Sequence, residues 1–197
     1  MAVVMRPSHR FMAMVAPVVA LAMAAGQGQA SLILALDLPT LVARADQISV
    51  VDVVSVKAAW NAEHDRILTT VDVAVVDCWK GSAAPASHVT VVQPGGTVGG
   101  LTMRIDGMPH FSPGERALLF LRGSAARASV VGMAQGKRPL SREATSGRWM
   151  VSAPDRAGAD FVPTTPASAS IFAVRTRPLV DLRSEVRALA STSGGGR

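Results

Sequence analysis

The sequence predicts a mainly β domain, a small barrel or sandwich of short strands with a short helix before it and a second helix after it. Two observations support this prediction. Alternating or β-branched apolar runs recur at short intervals between residues 48 and 152, and Gly, Pro and Asp residues with turn chemistry separate them. This spacing is typical of a barrel or sandwich and not of alternating βαβ units. The chain is long enough to bury one such core in a single domain, predicted at residues 31–152.

Residues 1–30 have the pattern of a secretory signal peptide. A basic start precedes an uncharged apolar run at 11–25, and a small-x-small sequence ends at Ala30. The alternative is a transmembrane anchor, which needs about 20 apolar residues; this run is shorter and is interrupted by Pro17. We therefore expect cleavage after Ala30 and export through the general secretory route to the periplasm or the extracellular space. No stable membrane span is expected in the mature chain.

A short helix is predicted at 37–46, because Asp37 can cap it and Pro39 suits its first turn. Strands are then predicted from the apolar runs at 48–56, 67–79, 88–92, 101–105, 116–122 and 129–133, with a further edge strand at 147–152. Polar or turn-forming segments separate the strands, among them 60–66 and the Ser-Pro-Gly-Glu turn at 112–115.

The C-terminal region is predicted in three parts. Residues 153–177 are rich in Pro, Ala and Ser and indicate an extended linker. A helix is predicted at 178–190, where Pro178 opens it and an apolar stripe follows at Leu182, Val186 and Leu189. We expect this stripe to pack on the barrel, with recruitment of a partner helix as the alternative. The tail at 191–197 is predicted to be disordered.

Charge is distributed unevenly along the chain, whose formal net charge is +6. Residues 31–115 hold five basic and nine acidic side chains, whereas residues 116–197 hold thirteen basic and five acidic ones. A basic half can serve an acidic partner. Nucleic acid is not expected as that partner, because the arginines are scattered and few aromatic rings are available for base stacking. Solvated surface arginines are the preferred interpretation.

The segment QPGGTVGG places four glycines, Gly95, Gly96, Gly99 and Gly100, within eight residues. A phosphate-binding glycine loop works because a helix follows it and directs N–H groups at the anion. Here the chain continues as LTMRI, which indicates a strand. We therefore interpret the glycines as turn or bulge positions with positive φ, and we expect no bound cofactor. The alternative is that this loop forms a protein contact surface.

The histidines of the mature chain, His64, His88 and His110, fall in different predicted elements without paired ligand spacing. Zinc needs three or four converging ligands, so no metal site is expected. Ser112, His110 and Asp106 resemble a catalytic triad only in composition, since Ser112 precedes Pro-Gly in a turn and lacks a nucleophile elbow. No catalytic residue is predicted.

Cys78 is the single cysteine and lies in the alternating run VDVAVVDCW. A disulfide framework needs an even set of cysteines, so the domain must be stable through its core. A buried thiol is the preferred interpretation. The alternatives are an intermolecular disulfide or a nucleophile, but nothing nearby in sequence supplies the base that a nucleophile needs.

The chain from Ala45 to Gly132 resembles the OB-fold module of netrin-like domains and tissue inhibitors of metalloproteinases. The matching pieces are ADQISVVDVVSV, ILTTVDVAVVDCWKG, HVTVV and FSPGERALLFL. The PGG…VGG and VGMAQG features also resemble exported bacterial proteins of uncharacterised activity. The resemblance implies a closed or partly open OB-like barrel used as a protein-binding module. Those inhibitors begin with a zinc-chelating Cys, whereas the predicted mature start here is Ser31, so that mode of inhibition does not carry over.

The function expected from the sequence is a non-catalytic protein-binding module whose partner is an envelope or secreted protein, such as a protease. Trp60 and Phe111 are the candidate exposed anchors, with packing at the barrel end as their alternative role. The candidate partner-binding residues are Trp60, His64, Gly95, Gly96, Gly99, Gly100, His110 and Phe111. The alternatives are a secreted hydrolase that uses Ser112, His110 or Cys78, and a passive structural component of the envelope.

Overall fold

The computed structural model describes residues 31–173 and 176–193. The predicted signal peptide and residues 194–197 of the predicted tail lie outside this range. The strands of the described part are β1 (Leu32–Ala35), β2 (Gln47–Trp60), β3 (Ile67–Lys80), β4 (His88–Pro94), β5 (Gly96–Val98), β6 (Leu101–Met103), β7 (Arg116–Ser124), β8 (Arg127–Val130), β9 (Lys137–Arg142), β10 (Trp149–Ser152), β11 (Asp160–Pro163) and β12 (Thr176–Pro178). The helices are α1 (Leu38–Arg44), a 3-10 helix (Met133–Gly136), α2 (Pro166–Ser170) and α3 (Leu179–Ser193).

Five strands form a ring in the order β7-β2-β3-β4-β8, and β8 pairs back with β7. The contacts are antiparallel except between β4 and β8, which run parallel and meet at Val91 and Ala128. The predicted class, a mainly β protein with a small OB-like barrel and two flanking helices, is confirmed. The register is longest between β2 and β3 and shortest between β4 and β8.

Strand β2 is buried on both faces over its first half, which explains why ISVVDVV is nearly continuous in apolar residues. Val51 and Val53 face the barrel interior with valines and leucines of the neighbouring strands. Ile48 and Val50 face a second core that lies between the barrel and the helices. The register with β3 shifts at three points along β2, as expected of bulges, which bend a strand and allow a small barrel to close.

Both flanking helices pack on the second core. At α1, the Asp37 side chain accepts a hydrogen bond from Thr40 N at 2.9 Å, and Leu41 and Val42 are fully buried. The predicted cap and the predicted apolar face are therefore confirmed. In α3, Leu182 and Val186 are buried in the same core, so the predicted packing of the stripe on the domain is also confirmed. Helix α3 continues to Ser193, which shortens the predicted tail, and Pro178 ends β12 instead of opening the helix.

The described residues of the segment 153–177 pack against the domain, which differs from the extended linker predicted for this segment. Strand β11 pairs in parallel with β1, and Phe161 is buried, with its ring centroid 4.7 Å from that of Phe172. Helix α2 begins at a capping box in which Thr165 and Ser168 exchange hydrogen bonds. Ile171, directly after α2, is buried in the second core.

Strands β9, β10 and β12 extend the sheet outward from β7, beyond the ring. Of these, only β10 was predicted, as the edge strand at 147–152. Among the described residues, no helix has both the length and the apolar character needed to cross a membrane.

Candidate functional site

Strands β5 and β6 form a separate hairpin, so the strand predicted at 101–105 does not belong to the barrel sheet. Val98 pairs with Leu101, and Gly99 and Gly100 form the two-residue connection with φ of +57° and +83°. Two consecutive residues with positive φ are typical of the tight turns that connect hairpin strands. The interpretation of these glycines as turn positions is confirmed.

The base of the hairpin lies directly on the barrel. Gly95 N donates to Ile67 O at 2.8 Å, and Thr69 Oγ1 donates to Gly95 O at 2.6 Å. A Cβ at Gly96 would lie 2.7 Å from Thr69 Oγ1 and 2.8 Å from Ala58 Cβ. Only glycine therefore allows the hairpin to approach β2 and β3 this closely.

A groove of about 660 Å³ lies between this hairpin and the segment 104–111. Its apolar lining includes Met103, Ile105, Met108, Pro109 and Phe111, and its polar lining includes Thr69, Gln93, Thr97, Thr102, Arg104, His110 and Asp155. On the wall of the groove, Gln93 Nε2 donates to Pro109 O at 2.8 Å, whereas Gln93 Oε1 is buried without a hydrogen-bond partner.

The groove brings together Gly95, Gly96, His110 and Phe111, four of the eight residues predicted as partner-binding. Gly99 and Gly100 are exposed at the tip of the hairpin and do not line the groove. The segment 108–113 was also a candidate contact surface from the sequence, and Met108 and Pro109 line the groove. Met103 was predicted only as part of the strand at 101–105, with no binding role.

Phe111 is 5% exposed and belongs to the barrel core with Leu119 and Leu121. The prediction of Phe111 as an exposed anchor is therefore wrong, and its alternative role in packing the barrel end is the one observed. The Nζ atom of Lys137 lies 4.7 Å from the Phe111 ring centroid and 2.7 Å from Glu115 Oε1, and it also donates to His110 O. These contacts fix the backbone on which His110 presents its exposed side chain.

Trp60 and His64 lie at the β2–β3 connection, outside the groove. Trp60 is half-buried at the end of β2, and the exposed His64 ring stacks on it with centroids 6.4 Å apart. Asn61 shapes the turn, since its Oδ1 accepts hydrogen bonds from the backbone N–H groups of Asp65 and Arg66. Hydrogen bonds from Arg66 and Asn61 lower the pKa of the Asp65 carboxyl to about 2.

The residues of the hydrolase alternative are not joined by hydrogen bonds within the described part of the chain. Ser112 N donates to Glu115 Oε1 at 3.1 Å, and Asp106 Oδ1 accepts from Arg104 Nε at 3.3 Å. Cys78 is half-buried, which corrects the prediction of a buried thiol, and its Sγ donates to Lys80 O at 3.2 Å. The described residues contain no group of three or more His, Cys, Asp or Glu side chains placed to hold a metal ion.

A second cavity, of about 300 Å³, lies between α1, α2, α3 and β10. Arg138 lines it and is 8% exposed. Burial, with a smaller contribution from nearby Arg177, lowers the pKa of the Arg138 guanidinium to about 10. Sequence analysis assigned no role to Arg138, because in GKRPL it has the pattern of a solvated turn residue.

The chain matches no protein-family model, no curated protein and no solved structure.

Proposed function

We propose that this chain is an exported, non-catalytic protein-binding module that binds its partner in the groove beside the β5–β6 hairpin. The partner is an extended segment of an envelope or secreted protein, such as a protease. The observation that carries the proposal is the groove itself, which has a volume of about 660 Å³ and is lined by flexible methionine side chains and a few polar groups.

The groove has the chemistry of a protein contact. Met103 and Met108 line it, and methionine adapts its shape to different apolar partners. Ile105 and Leu101, at 36% and 61% exposed, extend the apolar surface along the hairpin. The groove is also larger than one side chain requires, so a segment of several residues fits it better than a single anchor does.

The hairpin also offers a backbone edge. Strand β6 pairs with β5 and with no other strand in the described part of the chain. An extended peptide can add to such an edge through main-chain hydrogen bonds while its alternate side chains enter the neighbouring pocket. The edge therefore supports an extended partner segment in preference to a helix.

The test is selection of a displayed library of random unstructured peptides on the purified mature chain, residues 31–197. We expect the selected peptides to slow amide hydrogen exchange at Leu101–Met103 and to lose at least tenfold in affinity for Met103→Glu. Val76→Glu is the matched control, because Val76 is an apolar residue that is 37% exposed on β3, outside the groove. Equal loss of affinity in both variants, or protection confined to another surface, contradicts the proposal.

A further inference from the structure

Arg138 is a buried cation without an anionic partner among the described residues. Its Nη1 donates to Ile171 O at 3.1 Å, and its Nε has no hydrogen-bond partner. The charged group that acts on it electrostatically is Arg177, which has the same sign. An uncompensated charge in a protein interior is strongly unfavourable unless a counter-charge or a set of hydrogen bonds accompanies it.

Other cations of this domain show how the fold normally treats such a charge. Lys137, the preceding residue and equally buried, has its Nζ 2.7 Å from Glu115 Oε1. Arg116 forms two hydrogen bonds with the carboxylate of Asp52. Lys137 and Arg138 are the two buried cations among the described residues, and only Arg138 has no carboxylate within ion-pair distance. Its missing counter-charge is the feature to be explained.

Space for a counter-ion is present beside Arg138, in the second cavity. The apolar side chains that line this cavity are Leu38, Pro39, Val151, Ala167, Ile171 and Leu182. Ser152 and Arg177 add hydrogen-bond donors, whereas the Ser170 hydroxyl already donates to Ala167 O at 2.7 Å. A cavity with a cation at one wall and apolar side chains around it suits a ligand that is itself part charged and part apolar.

Two carboxylates also line the cavity, but both already have partners. Asp37 caps α1 by accepting from Thr40 N at 2.9 Å, and Glu185 pairs with Arg177 at 2.8 Å. Neither is within ion-pair distance of Arg138. Two carboxylates at the cavity wall oppose a dianion such as phosphate more than they oppose a single negative charge. The cavity therefore favours a monoanion.

We propose that this cavity binds a small carboxylate with a short apolar body, whose charge is neutralised by Arg138 and whose hydrocarbon part contacts Val151, Ile171 and Leu182. A guanidinium matches the planar geometry of a carboxylate through paired N–H groups. The carboxylate can come from a free organic acid or from the C-terminus of a peptide, because both present the same group. This site is separate from the groove of the proposed function and does not depend on it.

The test is calorimetric titration of the purified mature chain, residues 31–197, with three compounds: hexanoate, the neutral hexanamide and a blocked apolar tripeptide with a free C-terminal carboxylate. We expect at least one of the two acids to bind at one site and hexanamide to bind at least tenfold more weakly than hexanoate. Binding of hexanoate alone identifies a free acid as the ligand class, and binding of the tripeptide alone identifies a chain terminus. Absence of binding by both acids overturns the proposal, and so does detectable binding of hexanamide with the same affinity as hexanoate.

Arg138→Met tests the residue itself. This variant is expected to lose at least tenfold in affinity for the acid, while its melting temperature without ligand rises because the unpaired buried charge is gone. Arg187→Gln removes the same charge from an exposed position of α3 and is expected to retain wild-type affinity. Unchanged affinity in Arg138→Met overturns the assignment. The comparison of acid and amide on the wild-type chain needs no variant, so it decides the question even where the substitution prevents folding.

Discussion

Arg116 holds Asp52 in a bidentate ion pair across β7 and β2. Arg116 Nε donates to Asp52 Oδ1 and Nη2 donates to Oδ2, each at 2.6 Å, and the two residues are directly opposite in the strand register. The Arg116 guanidinium also lies over the ring of Trp149, 4.7 Å from its centroid. A single side chain thus connects the barrel to the outer strand β10.

We expect Asp52→Asn to lower the free energy of unfolding at pH 7 by about 1 kcal/mol, the upper range for a partly exposed pair. The hydrogen bond from Arg116 lowers the pKa of the Asp52 carboxyl. A lowered folded-state pKa adds stability above the unfolded-state pKa, near 4, and that stability is lost as the pH falls through the folded-state value. The difference between wild type and Asp52→Asn, measured by urea unfolding from pH 7 to pH 3, should therefore shrink below pH 4. If the difference in the free energy of unfolding between the two proteins stays constant from pH 7 to pH 3, the ion pair contributes nothing to stability.

Gly96 allows the hairpin to lie against the barrel, and its φ is +135°. Gly96→Ala places a Cβ in contact with Thr69 Oγ1 and Ala58 Cβ in an unfavourable backbone region, so we expect a loss of about 2–3 kcal/mol in the free energy of unfolding. Gly99→Asn is the control, because nothing lies within 4 Å of a Cβ there and Asn tolerates its φ of +57°. Its expected effect is within about 0.5 kcal/mol. Equal losses of the two variants in thermal or urea unfolding would contradict the close approach of Gly96 as the cause.

Gln135 is fully buried and joins the N-terminal strand to the 3-10 helix. Its Oε1 accepts from Leu36 N at 2.6 Å, and its Nε2 donates to Leu34 O and Gly132 O, each at 3.1 Å. Gln135→Leu leaves Leu36 N without this acceptor and Leu34 O without this donor, whereas Gly132 O keeps its hydrogen bond from Gln135 N. We expect a loss of about 2–4 kcal/mol.

The measurement for Gln135→Leu is urea unfolding together with amide hydrogen exchange at Leu36, which should become faster. Gln47→Leu is the control, since the Gln47 side chain bonds only to Ser49 Oγ, and its expected loss is below about 1 kcal/mol. Unchanged exchange at Leu36 in Gln135→Leu would show that β1 is held by its pairing with β11 alone.

The barrel strands were predictable because each has its own local signal. The run ILTTVDVAVVDCWK alternates over a length that only a strand explains, and α1 begins at a capping Asp followed by Pro. Strands β1 and β11 carry no such signal, since each has four residues and they pair across most of the chain. Their pairing depends on tertiary contacts, such as the burial of Phe161, that no local pattern encodes.

The candidate site was predictable in part for the same reason. Gly95 and Gly96 were identifiable from the sequence because a backbone position with positive φ favours glycine. Whether Phe111 is an anchor or a core residue depends on how the segment after β6 folds back on the barrel, which the sequence does not show. Arg138 was not identifiable at all, because its surroundings come from segments distant in sequence, such as Ile171, whose carbonyl accepts from Arg138 Nη1.

Phe111 and Trp60 provide the last prediction, since one is buried and the other half-buried. Phe111→Ala creates a cavity in the barrel core and should lower the free energy of unfolding by about 3–4 kcal/mol. Trp60→Ala removes a side chain that stacks on an exposed ring and should cost about half as much. Chemical denaturation of both variants measures which substitution costs more free energy of unfolding. Phe111→Leu is the conservative control, because it removes the ring and keeps a large apolar side chain.

The ranking also decides how binding by these variants must be interpreted. If Phe111→Ala is the less stable variant, its weaker binding of a groove peptide reflects a distorted floor of the groove. A loss of peptide affinity in Trp60→Ala would instead place the β2–β3 turn in the contact with the peptide. Phe111→Leu should then keep the peptide affinity within about threefold, because a volume-conserving apolar exchange preserves the floor. If Trp60→Ala is the more costly substitution, the turn at 61–66 contributes more to the barrel end than its exposure indicates.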